Sequence, residues 1–315
     1  EQMVVSSLKE SESSGGVGNR HLLSHPRIVK GPRFLYLAYR ARQMAAQRFV
    51  VHRVQKTEPF QRQEIYTSKE RVFDIASVQD SLWVLKRHHI DVISAESTVV
   101  ERIDLPMTGF DSSFDRAFDM IVVGKKVVVA NGPRGIVVIN TESRRLLLEK
   151  PLDLLQPEGH RSAAVAVAAS GKSRVVVAVS HLTSPTETYL PFNGLVEVSL
   201  SSAHQSRVYP VDWKNSGVLS PLARMQLKAG QVWINNWGIL QRVNLQQMRS
   251  QGRVRPKWVP ISQNTDNGRW HDELLGDPVV SDKAFYACAV RSRRQATRPH
   301  PKKGVAVRFN RQDAL

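Results

Sequence analysis

Short apolar runs separated by polar turns punctuate the whole chain, and apolar residues almost nowhere recur at helical spacing. The runs are "RFLYLAY", "SLWVL", "KVVVA", "RVVVAVS", "QVWIN" and "AFYACAV", marked by Phe34, Leu82, Val127, Val175, Val232 and Phe285, at successive offsets of 45 to 57 residues. A second run follows each: "RFVVHRV" at 48–54, "IDVIS" at 90–94, "GIVVIN" at 135–140, "GLVEVSL" at 194–200, "GILQRVNL" at 238–245 and "GVAVRFN" at 304–310. Glycine opens four of these six, as expected where a hairpin turn needs a positive φ. Five continue into a third run, namely "RQEIYT", "VVERIDL", "RLLLEKPL", "SRVYPVD" and "KWVPI". Runs of this length, rich in β-branched and aromatic residues and bounded by turn residues, read as β-strands.

The spacing also carries a repeat. "RVFDIASVQDSLWVL" from Arg71 and "RAFDMIVVGKKVVVA" from Arg116 share an Arg, any residue, Phe, Asp opening, and Asp74 and Asp119 stand 45 residues apart. Several short strands per repeat of roughly 40–50 residues are the pattern of β-propeller blades. The expected fold is therefore all-β: one domain over 1–315, a six-bladed propeller, with seven blades as the alternative if one repeat is too degenerate to see. Blades are expected at about 26–67, 70–105, 115–154, 162–212, 219–261 and 274–315. The sixth repeat ends before a last strand, and "QMVVSSL" at 2–8 is expected to close the ring by pairing there, which removes an open sheet edge. The Gly/Ser-rich stretch 9–25 reads as a flexible connection.

Across nearly its whole length the chain resembles the β-propeller superfamily with divergent repeats. "GIVVINTESRRLLLEKPL" and "IDVISAESTVVERIDL" are similar to YVTN or NHL blades. No Trp-Asp dipeptide ends the strands, as in WD40 repeats, and the kelch double glycine does not recur. The repeat texture implies an exported protein whose signal has been removed.

Composition adds charge. Lys and Arg number 45 against 28 Asp and Glu, a formal charge of +17, so an anionic partner is expected. The single cysteine, Cys288, lies in an apolar run and cannot form an intramolecular disulfide. No run of eighteen apolar residues exists to form a transmembrane helix.

The inner strand of each blade precedes its marker run, and side chains at its start ring the mouth of the central channel. Counting back eight residues from the markers gives Asp74, Asp119, Arg224 and Asp277, and blade one gives Arg27 when Leu35 is the reference. Blade four gives only apolar residues, in "AAVAVAAS". Three carboxylates, Asp74, Asp119 and Asp277, match the oxygen-ligand preference of Ca²⁺, and resemblance to six-bladed lactonases implies a divalent ion there. Pairing with Arg27 and Arg224, set on either side of Asp277, is the favoured alternative, because it satisfies the buried charges without a metal. His88 and His89 are adjacent and point apart in an extended segment, so they make a poor chelating pair. "ASGKS" at 169–173 reads as a hairpin turn, and Asn235 and Asn236 as a turn between strands.

Turns between second and third strands emerge on the channel-mouth face. They carry Arg40, Arg42, Arg48, Lys86, Arg87 and Arg134, then Arg291, Arg293, Arg294, Arg298, Lys302 and Lys303 in the long turn 291–304. The function expected is a non-enzymatic scaffold or recognition module that binds an acidic or anionic partner through this face. A protein in an assembly is the expected partner, with an anionic polymer or nucleic acid as alternatives. A metal-dependent hydrolase or lyase of lactonase type is the competing reading.

Overall fold

The computed structural model describes residues 27–43, 46–57, 61–107, 116–150, 160–181, 190–201, 206–211, 223–236, 239–258, 270–280, 284–293 and 301–310, and within 270–310 backbone pairing alone. The expected closing strand at 2–8 and the linker at 9–25 lie outside these residues.

Six sheets, spanning 27–68, 74–104, 119–150, 160–210, 224–258 and 270–310, follow one another along the chain, each in antiparallel up-and-down order but for one short added strand in the fourth. They are numbered blades 1 to 6. Their first strands, Arg27–Lys30, Asp74–Val78, Asp119–Val123, His160–Ala169, Arg224–Lys228 and Trp270–Val280, pack next to one another in sequence and form the inner layer. Blades 1 to 5 hold four strands each, with a fifth in blade 4, where Leu190–Pro191 pairs in parallel with the start of the inner strand. Blade 6 holds three. The expectation of six or seven blades is thus corrected to five complete blades, the last repeat forming a three-stranded sheet among the described residues.

Strand burial follows position. Second strands are covered on both faces and read as unbroken apolar runs: Val127 to Ala130 and Val175 to Val179 are all fully buried. Outer strands face solvent, and Val99, Val100, Leu146 and Leu147 are exposed. The core is correspondingly divided into slabs between successive blades. Ala76, Trp83 and Ile90 of blade 2 meet Met120, Val127 and Val137 of blade 3. Val128 and Val138 of blade 3 meet Val167, Val177 and Val196 of blade 4. Each fully buried aliphatic side chain in these slabs contributes about 1.5–3 kcal/mol.

Tight turns set the register. The inner hairpin of blade 5 turns at Ala229 and Gly230, whose φ values of 49° and 73° match a two-residue turn with both central residues left-handed. One helix, Leu245–Gln251, interrupts blade 5 between its third and fourth strands and was not foreseen from periodicity. The Asn244 side chain caps it by accepting the Gln247 amide, Gly252 ends it in the left-handed region, and Leu245 and Met248 are buried in the slab between blades 4 and 5. Among the described residues no helix is long and apolar enough to cross a membrane.

The slab between the strands of blade 4 is tight where its third strand begins. A Cβ on Gly194 would lie 2.5 Å from the Tyr209 carbonyl oxygen and 2.7 Å from the Phe192 ring, whereas one on Gly171, in the first hairpin of the same blade, would meet nothing within 4 Å. Gly194→Ala is expected to destabilise the fold by about 1–3 kcal/mol, and Gly171→Ala to stay within about 0.5 kcal/mol, in urea unfolding monitored by tryptophan fluorescence.

Candidate functional site

Every inner strand runs away from the end at which it starts, so its first residue and the turn between the second and third strands lie at the same end of the blade. The pairing register makes this concrete: Asp74 lies opposite Leu85, one residue before the turn at Lys86, and Asp119 lies opposite Ala130, one residue before the turn at Asn131. This is the end at which the sequence pattern sets the expected channel mouth.

The first inner-strand positions are linked from blade to blade. Asp74 accepts the Ile75 amide through one carboxylate oxygen and, through the other, the Met120 amide of blade 3, both at 2.9 Å. Asp119 repeats the move, accepting the Val167 amide of blade 4 at 2.9 Å. Each carboxylate therefore fastens the next inner strand by the backbone. In blade 4 the equivalent residue is Ala166, opposite Ala178, so the series stops there.

Two arginines add ion pairs to this series. Arg27 Nε lies 3.3 Å from Asp74 Oδ1 and donates to the Phe73 carbonyl at 3.3 Å. Arg224 Nε lies 3.6 Å from Asp119 Oδ1, while its Nη2 donates to the Phe118 carbonyl at 2.9 Å and its Nη1 to the Ala223 carbonyl at 2.8 Å. The second pair joins blade 5 to blade 3, past an alanine that carries no competing group. All four side chains are at most 5 % exposed. The Arg–Asp pairing expected from sequence is present in Arg27 with Asp74 and Arg224 with Asp119; the side chain of Asp277 lies outside the described residues.

Asp277 is not equivalent to the other two aspartates. The residue opposite Cys288 is Leu275, and pairing is interrupted between Leu275 and Val279, where Gly276, Asp277 and Pro278 stand. Proline cannot donate to a strand ladder, and the interruption moves Asp277 out of step with a count of eight. Among the described residues no three metal-ligating side chains cluster.

In the loops that lead into the inner strands, the repeated Arg-x-Phe-Asp opening sets cations on rings. Arg71 lies 4.9 Å from the Phe73 ring centre, and Arg116 lies 5.1 Å from Phe73 and 4.7 Å from Phe118. Phe118 is buried. Burial, and then the charges of Arg71, Arg87 and Arg224, push the pKa of Arg116 down to about 10. The sequence signal for these arginines was their recurrence three residues before each aspartate, but they entered the sequence argument only as repeat markers.

Of the basic residues expected on this face, Arg87 and Arg134 are exposed in their turns. Lys86 is not a surface charge: it is 1 % exposed, its Nζ donates to Ser68 Oγ and, at 3.2 Å, to the Glu70 carbonyl, and it lies over the Tyr66 ring. Burial holds its pKa below the usual lysine value. Arg291 and Arg293 lie within the strand Ala284–Arg293, and Lys302 and Lys303 within Pro301–Asn310, with Arg291 opposite Lys303. The expected long turn 291–304 is thereby shortened by extension of both strands, and Arg294 and Arg298 lie outside the described residues. Asn235 and Asn236 end a strand and do not form a turn; Asn235 lies opposite Arg224. The His89 ring contacts Asp91, Nε2 to Oδ1 at 3.4 Å, and Asp91 also accepts the Tyr66 hydroxyl of blade 1 at 2.5 Å. That buried carboxylate, a second link between blades, was missed within the apolar run "HIDVI".

The blade geometry has counterparts in solved structures. The N-terminal domain of Nup159 matches over 84 % of this chain and 72 % of its own, with a TM-score of 0.50 and 10 % identity. Sqt1 of Saccharomyces cerevisiae matches over 83 % of this chain and 69 % of its own, with a TM-score of 0.50 and 9 % identity. The chain folds as a β-propeller. No family model matches its sequence, and no curated protein matches it. The finer likeness of its repeats to YVTN and NHL blades rests on sequence texture alone.

Asp74→Ala removes both the Met120 link and a buried counter-charge of Arg27, and is expected to cost about 3–5 kcal/mol in chemical unfolding. Asp74→Asn, which keeps one acceptor for Met120, should cost less. Because the described carboxylates are engaged by amides and guanidinium groups, millimolar Ca²⁺ is expected to leave the Tm unchanged. A rise of several degrees would establish an ion site.

Proposed function

We propose that the protein is a non-enzymatic propeller scaffold that recognises an acidic protein partner through the mouth face. The observation that carries this reading is the gathering of arginines at one end of successive blades: Arg27, Arg71, Arg87, Arg116, Arg134 and Arg224 all stand at inner-strand starts or in the adjoining loops. Two of them are held by Asp74 and Asp119 and stabilise the ring. Arg87 and Arg134 are exposed, which suits them to steer an acidic surface towards the mouth. A chain with a formal charge of +17 would add long-range attraction to this local pattern.

The basic residues of blade 6, Arg291, Arg293, Arg294, Arg298, Lys302 and Lys303, belong to the same proposal as a second contact region. Their repeated occurrence near one strand end supports it.

The test separates the two regions. Arg87→Gln with Arg134→Gln, and separately Arg291→Gln, Arg293→Gln, Lys302→Gln and Lys303→Gln together, should each elute earlier than the unaltered protein from an immobilised poly-glutamate column in a salt gradient. Unchanged elution of both variants would overturn the reading, and tighter retention on single-stranded DNA than on poly-glutamate, with a steep salt dependence, would replace it with nucleic-acid binding.

A further inference from the structure

Among the described residues, Arg116 is a guanidinium of this face that meets aromatic rings and no carboxylate. It is half-buried, and its Nε is enclosed without a hydrogen-bond partner. Its partners are the faces of Phe73 and Phe118, and Arg71, Arg87 and Arg224 act on it as like charges. Ring faces offset part of the desolvation of a cation, by about 0.5–2 kcal/mol each, but a carboxylate or phosphate would do more. Arg27 and Arg224, by contrast, each have an aspartate. This end of the blades thus holds two kinds of arginine: Arg27 and Arg224, each meeting an aspartate, and Arg116 of the repeated motif, set on two rings.

We propose that Arg116, with Arg71 and Arg87, is a receptor for a single carboxylate side chain of an acidic peptide segment. The proposal rests on the reading that the mouth face binds an acidic protein, and names the residue that anchors it. A carboxylate fits the planar fork of a guanidinium, and neighbouring positive charges favour its arrival. A peptide is favoured over a nucleic acid because the Phe73 and Phe118 rings are already engaged by Arg71 and Arg116, so the faces on which a base would stack are in use. The backbone on either side is held firmly, which keeps the receptor in place: the Ala117 amide donates to the Arg87 carbonyl at 2.9 Å and the Phe118 amide to the Ala130 carbonyl at 2.9 Å.

The experiment compares the full chain with Arg116→Met, which keeps an apolar stem against the two rings and removes the charge, and with Arg116→Lys, which retains charge without the fork. Fluorescence anisotropy is read with labelled hexaglutamate, hexaglutamine and an oligo-dT of similar charge, and Tm is measured alongside. Arg116→Met is expected to bind hexaglutamate at least tenfold more weakly, Arg116→Lys to fall between, and the Tm of Arg116→Met to equal or exceed that of the unaltered protein, because an unpaired buried charge has been removed. Equal affinity of Arg116→Met and the unaltered protein would overturn this inference while leaving the broader reading intact. Failure of the unaltered protein to prefer hexaglutamate over hexaglutamine would overturn both. Tighter binding of oligo-dT than of hexaglutamate, lost in Arg116→Met, would overturn the choice of a peptide.

Discussion

A carboxylate at the first residue of an inner strand, reaching sideways to the backbone amide of the next blade, is the contact on which the ring depends. Asp74 holds Met120 and Asp119 holds Val167 by the same bond. The hydrophobic slabs between blades are larger in energy, but apolar contact is nondirectional and tolerates sliding of one sheet over another. A short bond from a buried carboxylate to a defined amide does not tolerate it. It fixes which residue of one inner strand stands beside which residue of the next, and so fixes the angle at which blades meet.

Burying those carboxylates creates the need for Arg27 and Arg224. Each guanidinium also donates to a neighbouring phenylalanine carbonyl, so that charge and backbone polarity are satisfied together. The alanine of blade 4 has a structural consequence: with no acidic side chain at Ala166, Arg224 extends to Asp119 and ties blades that are not neighbours. Ion pairs thereby join blades 1 to 2 and 3 to 5 at this end, while Arg116 lies against the Phe73 and Phe118 rings.

Much of this was legible in the order of residues. The strands appeared because their apolar runs are short, and the inner aspartates appeared because the distance from strand start to marker run is the same in each regular blade. The same rule failed at Asp277, where Gly276 and Pro278 interrupt the ladder and a count along the chain no longer measures position in the sheet. It failed again at Lys86, which the sequence shows as one more basic turn residue but which Ser68, Glu70 and Tyr66 of the preceding blade enclose. The tail of the basic turn at 291–304 was misjudged because long polar side chains do not prevent a strand from continuing past its apolar part.

Local periodicity and turn chemistry are properties of a few consecutive residues, and they were enough to establish an all-β chain of repeats with an Arg-x-Phe-Asp opening. Which aspartate meets which arginine, which basic residues are enclosed and how many blades are complete depend on groups more than forty residues apart being brought within a few ångströms. Only packing sheet against sheet does that, because charge and hydrogen-bonding partners are chosen by distance in space, and a side chain's type records nothing of what the next blade will place beside it.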